Sequence, residues 1–165
     1  RQTWQNILKR ASLSNLITML DRNSKIYIAG HHGLVGSAIW KNLEARGYHN
    51  LVGRSHDELD LTDQYQVQKL FDEEQPDAVI LAFVGGIMAN SLYRADFIMQ
   101  NMKMQCNVLS NAHSHGVKKL LFLGSTCIYP KNAPQPMRED ALLTSELELY
   151  QRGICHCKDS RFEDV

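Results

Sequence analysis

The pattern of apolar and polar positions changes character at Lys25. Before it, residues 1–24 are polar and mildly amphipathic, and Trp4, Ile7, Leu8, Leu13, Leu16, Ile17 and Leu20 partly fit a helical spacing. KIYIAG is a short β-rich run ending in glycine and predicts a buried strand. GHHGLVG leads into SAIWKNLEARGY, where Ala38, Ile39 and Leu43 share a helical spacing and Gly47 is a stop signal. NLVGRS predicts a second strand. LTDQYQVQKLFDEEQ opens with Thr62 and Asp63, residues suited to an N-cap, and predicts a helix. Pro76 precedes a third strand, PDAVILAFVGG. ADFIMQNMKMQCNVLSNAHSHG predicts a long helix ending at Gly116, with Phe97, Ile98, Met102, Val108 and Leu109 on one broad face. KKLLFLGS is a fourth, nearly continuous apolar strand, and TCIYPKNAPQP a Pro-rich loop. After about Leu143 the pattern has neither clear period nor turn grammar.

Strands alternating with helices make a parallel sheet covered on both faces, and strands without internal alternation suit that burial. The expected fold is α/β, a doubly wound, Rossmann-like domain. Composition narrows the function. The chain has 165 residues, 44% apolar and 22% charged, enough for one cored domain or a piece of a larger one. Eighteen basic residues balance eighteen acidic ones, which argues against non-specific binding to nucleic acid or to an acidic membrane surface. No apolar run approaches the roughly 18 residues of a membrane span, and RQTWQNILKR lacks the apolar centre of a signal peptide. Cys106, Cys127, Cys155 and Cys157 follow no disulfide framework, so a reducing, cytoplasmic setting is expected.

Gly30, Gly33 and Gly36 form G-x-x-G-x-x-G between the first strand and the first helix. Gly30 permits the tight turn, Gly33 lets backbone N–H groups approach a pyrophosphate, and Gly36 lets helix and strand pack closely. The helix N-terminus favours the anion. The alternative is a tight turn with no ligand. Arg54 ends the second strand, where an acidic residue suits the NAD ribose and a basic one the 2′-phosphate of NADP. Arg54 favours NADP, and it equally fits a solvated charge. Asp60 is placed to reach the adenine amino group or to act as a helix-start charge.

KIYIAGHHGLVGSAI, HDELDLTD, VGGIMAN, ADFIMQNM and KKLLFLGSTCIYPKNAPQPMRED together resemble the GDP-L-fucose synthase family, within the extended short-chain dehydrogenase/reductase group. The resemblance covers roughly residues 25 to 148. It implies an enzyme that epimerises GDP-4-keto-6-deoxy-D-mannose at C3 and C5 and reduces the C4 ketone with NADPH. By motif, Gly30, His31, His32, Gly33, Leu34, Val35 and Gly36 hold the NADP pyrophosphate. Arg54, Ser55, His56, Asp57, Glu58 and Leu59 form the 2′-phosphate and adenosine segment. Leu123, Gly124, Ser125 and Thr126 pass beside the nicotinamide. Ser125 is the implied catalytic serine at the C4 oxygen, and Cys127 the implied acid/base group for epimerisation. Protons beside a ketone are acidic, so a base at C3 and C5 and a donor at the enolate oxygen make chemical sense. Read without the resemblance, Cys127 is a small buried thiol. The resemblance also implies a GDP-sugar partner and a homodimer.

Four departures from the family matter. His32 stands where the family has Arg; a mostly neutral His lowers the expected NADP affinity by about 1 kcal/mol or more. LAFVGGI is shorter than the family's LAAAKVGGI and lacks its Lys. The family's Y-x-x-x-K, its proton donor and ribose-binding Lys, is absent after the Ser-Thr-Cys segment, where Tyr150 has Ile154 four residues on. The family's substrate-binding half has no counterpart before Val165. Synonymous codons for the segment after Glu148 can be chosen so that reading one base later spells Thr-Asn-Glu-Gly-Tyr-Ala-Ile-Ala-Lys. A single-base frameshift near Glu148–Tyr150 is therefore expected. The expected organisation is an N-terminal extension at 1–24, with residues 1–18 read from upstream of Met19, a partial NADP-binding domain at 25–148 and an aberrant tail at 149–165. On this reading Cys155, His156 and Cys157 carry no metal. His113 and His115 lie on different helix faces and are expected as exposed helix-end residues. The chain as written is expected to be inactive and poorly soluble, with the edge of a half-sheet exposed. The alternatives are a non-catalytic NADP-binding remnant and a misfolded fragment.

Overall fold

The computed structural model describes residues 20–82, 94–124, 128–141 and 144, without the side chains of Arg94 and Glu139. The expected N-terminal extension, the tail with its Cys-His-Cys cluster and the VGGI segment lie essentially outside them. The described elements run β1 (Ile26–Ala29), α1 (Leu34–Ala45), β2 (Leu51–Val52), α2 (Gln64–Glu74), β3 (Ala78–Leu81), α3 (Arg94–Ser114), β4 (Lys119–Phe122) and a 3-10 turn at Glu139–Ala141. The four strands form one parallel sheet in the order β2-β1-β3-β4. Ile26 pairs with Leu51 and Ala78, and Ala78 with Lys119.

The alternating side chains of β1 and β3 divide the core between two faces. Ile26, Ile28, Ala78 and Ile80 pack with Ile39 and Leu43 of α1. Tyr27, Ala29, Val79 and Leu81 pack with Val67, Leu70 and Phe71 of α2 and with Val108 and Ala112 of α3. Helices on both faces of a parallel sheet make the fold the doubly wound, Rossmann-like α/β domain that the sequence predicts. β1 and β3 are buried throughout, whereas Leu120 of β4 is 37% exposed.

Local chemistry explains the element ends. Asp63 caps α2, its carboxylate accepting from the backbone N–H groups of Tyr65 and Gln66 at 2.9 and 3.3 Å. Asp77 registers the strand starts: it accepts from the Lys25 backbone N–H at 3.0 Å and from Lys118 Nζ at 2.6 Å. β2 is shorter than predicted, ending before Gly53, whose missing side chain leaves room for the His31 ring.

The inner stripe of α3 differs from the expected one. Phe97 and Val108 are buried, but Met102 is exposed, and Asn101 and Gln105 are buried instead. Asn101 is satisfied within its own helix, donating to the Phe97 carbonyl at 2.8 Å.

His113 is exposed as expected, but His115 is half-buried between two helices. Its Nε2 lies 2.9 Å from Asp72 Oδ1 of α2 and its Nδ1 lies 2.8 Å from the Asn111 carbonyl oxygen. Two acceptors favour the imidazolium, so its pKa is raised, chiefly by the Asp72 hydrogen bond. A raised folded pKa gives stability that is present below the unfolded pKa of about 6.5 and lost as pH rises through the folded value. Urea unfolding at pH 5.5 and 8.0 is therefore expected to show the wild-type chain losing, over that interval, an advantage over His115→Asn; parallel behaviour of the two proteins would refute the pair's contribution.

Candidate functional site

In an open α/β sheet, ligands sit beyond the carboxyl ends of the strands where the strand order reverses. Here that point lies between β1 and β3, since β2 lies on one side of β1 and β3 and β4 on the other. The loop after β1 is the glycine loop. Gly30 has φ of +82°, a conformation that glycine adopts without a Cβ penalty. The turn closes through the Gly33 N–H donating to the Gly30 carbonyl at 2.9 Å. α1 then starts at Leu34, with Gly33 as its N-cap and no side-chain cap. The first-turn N–H groups of Leu34, Val35 and Gly36 are left to an external acceptor, and the helix dipole favours an anion. Gly36 is buried at the crossing of α1 over the loop: a Cβ there would lie 2.0 Å from the Gly30 oxygen.

His31 and His32 follow Gly30, their ring centroids 3.9 Å apart, and His31 lies 5.5 Å from the Trp40 ring. The His31 ring covers Gly53, where a Cβ would meet its Cγ at 2.5 Å. Burial, then the neighbouring His32, lowers the His31 pKa, so the ring is neutral at pH 7. Its Nδ1 is buried without a hydrogen-bond partner among the described residues. His32 is exposed.

The segment after β2 lies beside the loop through this His31–Gly53 contact. Arg54 Nη1 donates to the Gly53 carbonyl at 3.0 Å, and Nη2 forms an ion pair with Glu74. Ser55 donates from N and Oγ to Glu58 Oε2 at 2.7 and 2.8 Å, and these bonds hold the Glu58 carboxyl below its usual range. His56 and Asp57 are exposed on the turn. Leu59 is buried in the core beneath it, so it offers only its backbone to a ligand. Asp60 accepts from Thr62 N and Oγ1, both at 2.8 Å, which lowers its pKa. It thus closes a local turn, and the helix cap is Asp63.

Past β4, the Leu123 N–H donates to the Leu81 carbonyl at 3.1 Å and Gly124 is exposed. Ser125, Thr126 and Cys127 lie outside the described residues. The structure therefore brings together the glycine loop, both histidines and the Arg54–Glu58 turn. Sequence reasoning missed Gly53, Trp40 and Glu74. Gly53 had a signal, a glycine inside a strand pattern; Glu74 had none, because its partner is twenty residues away.

The sequence profile of the NAD dependent epimerase/dehydratase family matches residues 26–153. The chain belongs to this family. Within the NAD dependent epimerase/dehydratase family it is similar to GDP-L-fucose synthase 1 of Arabidopsis thaliana, 57% identical over 137 residues that make up 82% of this chain and 42% of that protein. GDP-L-fucose synthase of Escherichia coli is 54% identical over 126 residues, 75% of this chain and 39% of that one. The chain thus spans about two fifths of these relatives. Among solved structures, a GDP-mannoheptose C4 reductase from Campylobacter jejuni with NADP bound superposes with a TM-score of 0.80 at 44% identity, over 84% of this chain and 45% of that one. A GDP-L-fucose synthetase from Naegleria fowleri bound to NADP gives a TM-score of 0.72 at 25% identity, over 84% and 42%.

The contact at Gly36 makes a direct prediction. Gly36→Ala places a methyl group against fixed backbone, and a loss of at least about 3 kcal/mol is expected on thermal or urea unfolding. A loss below about 1 kcal/mol would mean that α1 can move off the loop.

Proposed function

We propose that this chain is the cofactor-binding part of a GDP-L-fucose synthase: it holds NADP(H) for the 3,5-epimerisation and 4-reduction of GDP-4-keto-6-deoxy-D-mannose. The uncapped N-terminus of α1, held against Gly30 by the Gly36 contact, carries this reading. These residues fit a dinucleotide: the loop leads into a helix start without a side-chain cap, and a cation stands after β2. The similarity to GDP-L-fucose synthases and to NADP-bound GDP-sugar reductases supports the cofactor and the substrate class.

In this proposal Gly33, Leu34, Val35 and Gly36 offer N–H groups to the pyrophosphate, flanked by Gly30, His31 and His32. Arg54, Ser55, His56, Asp57, Glu58 and Leu59 frame the adenosine and its 2′-phosphate. Leu123, Gly124 and Thr126 line the nicotinamide side. NADPH, when bound, supplies the hydride for the C4 ketone. In the whole enzyme Ser125 would donate a hydrogen bond to the C4 oxygen, and the Cys127 thiolate would take and return the protons at C3 and C5. The one Tyr-x-x-x-Lys of the 165 residues, Tyr65–Lys69, lies on α2 ahead of β3 and not after Ser125–Cys127 as in the family, so no phenol is supplied there to protonate the C4 oxygen. Cofactor binding without turnover is therefore the activity proposed for the chain as written. A GDP-sugar partner, a homodimer and a cytoplasmic setting complete the proposal. Among the described residues no helix is long and apolar enough to cross a membrane.

Isothermal titration of the chain with 2′,5′-ADP and 5′-AMP tests the site. Tighter binding of 2′,5′-ADP is expected, and Arg54→Gln is expected to reduce the preference about tenfold. No binding of either nucleotide would refute the cofactor reading. With NADPH and the keto-sugar no oxidation is expected, and measurable turnover would overturn the role given to the missing Tyr and Lys.

A further inference from the structure

A dinucleotide site separates NADP from NAD by what stands beside the ribose 2′ position, and Arg54 is the cation in that segment. Arg54 is already engaged. One guanidinium nitrogen is bonded to the Gly53 carbonyl and another to Oε1 of Glu74. Glu74 is the last residue of α2, so the carboxylate comes from a different element. Its second oxygen, Oε2, accepts from Lys25 Nζ at 3.2 Å. The side chains of Arg54 and Glu74 are 35% and 21% exposed. Glu58, closer in sequence, is taken up by Ser55.

We infer that Glu74 sets coenzyme preference by competing with the cofactor's 2′-phosphate for Arg54, and that Lys25 moderates the competition. The inference rests on the NADP reading above. A guanidinium carries five donors and grips one carboxylate or one phosphate best through paired bonds. While Glu74 shares Arg54, the charge left for a phosphate dianion is partly neutralised. Lys25 draws on the same carboxylate from its other oxygen and so loosens its hold on Arg54. Removing the charge of Glu74 frees Arg54. Removing the charge of Lys25 leaves Glu74 to Arg54 alone. The two changes act on 2′-phosphate binding in opposite directions, whereas loss of a merely structural ion-pair network moves both the same way.

The test is isothermal titration of the full chain, at fixed ionic strength, with 2′,5′-ADP and 5′-AMP as probes and thermal melts alongside. Glu74→Gln is expected to tighten 2′,5′-ADP about three- to tenfold and to leave 5′-AMP unchanged. Lys25→Met is expected to weaken 2′,5′-ADP and again to spare 5′-AMP. An unchanged ratio of the two affinities in Glu74→Gln, or a shift of the same sign in both variants, overturns the inference. Should Glu74→Gln melt below the assay temperature, the sign of the Lys25→Met shift decides alone. If the wild-type chain binds neither nucleotide, the cofactor reading falls and this inference with it. If it prefers 2′,5′-ADP and the variants leave that preference untouched, only the competition is wrong.

Discussion

The approach of α1 to the end of β1 is the contact on which the rest of the site depends. No side chain fits between Gly36 and the Gly30 carbonyl, where a Cβ would stand 2.0 Å from the oxygen. With nothing between them, Ile39 and Leu43 of the same helix reach Ile26, Ile28 and Ile80 of the sheet. The same seating aims the first-turn N–H groups of α1 past Gly33 toward the carboxyl end of β1. One steric fact thus fixes both a core face and a binding geometry.

The opposite face answers with different chemistry. Tyr27 meets Phe71 edge to face at 6.3 Å, and α2 and α3 are joined at their ends by His115 and Asp72. At the amino ends of the strands, Asp77 holds Lys25 and Lys118. The sheet is therefore clamped at the end away from the ligand, while its carboxyl end carries the loops. Charges at one end and open backbone donors at the other are what a site at the strand-order reversal needs.

The strands, the Asp63 cap and the glycine loop were legible because each is written in local grammar: apolar runs, an acid at a helix start, glycines at a fixed spacing. The long helix was legible as an element but not in its facing. A broad apolar face cannot tell Met102, which is exposed, from Asn101, which buries itself by bonding its own helix at Phe97. Leu59 was read with its polar neighbours, yet its side chain belongs to the core. His31 over Gly53 and Arg54 on Glu74 are contacts between elements, and no spacing along the chain records them. The resemblance supplied roles for Ser125 and Cys127 that periodicity could not.

On the proposed NADP reading the site divides into two parts that answer differently to sequence change. The pyrophosphate part is backbone, and its geometry is tied to the fold: altering Gly36 alters the core beneath α1. The 2′ part is side chain, built on Arg54 and its ion pair with Glu74, with His31 and His32 alongside, and none of these side chains belongs to either hydrophobic cluster. A fold of this kind can keep its grip on a dinucleotide while its discrimination between phosphorylated and unphosphorylated ribose drifts. His32, where the resembling family has Arg, is a change of that second kind. Its exposed ring stands apart from the Gly30–Gly36 contact, so on the proposed reading it bears only on the charge that the 2′ position meets.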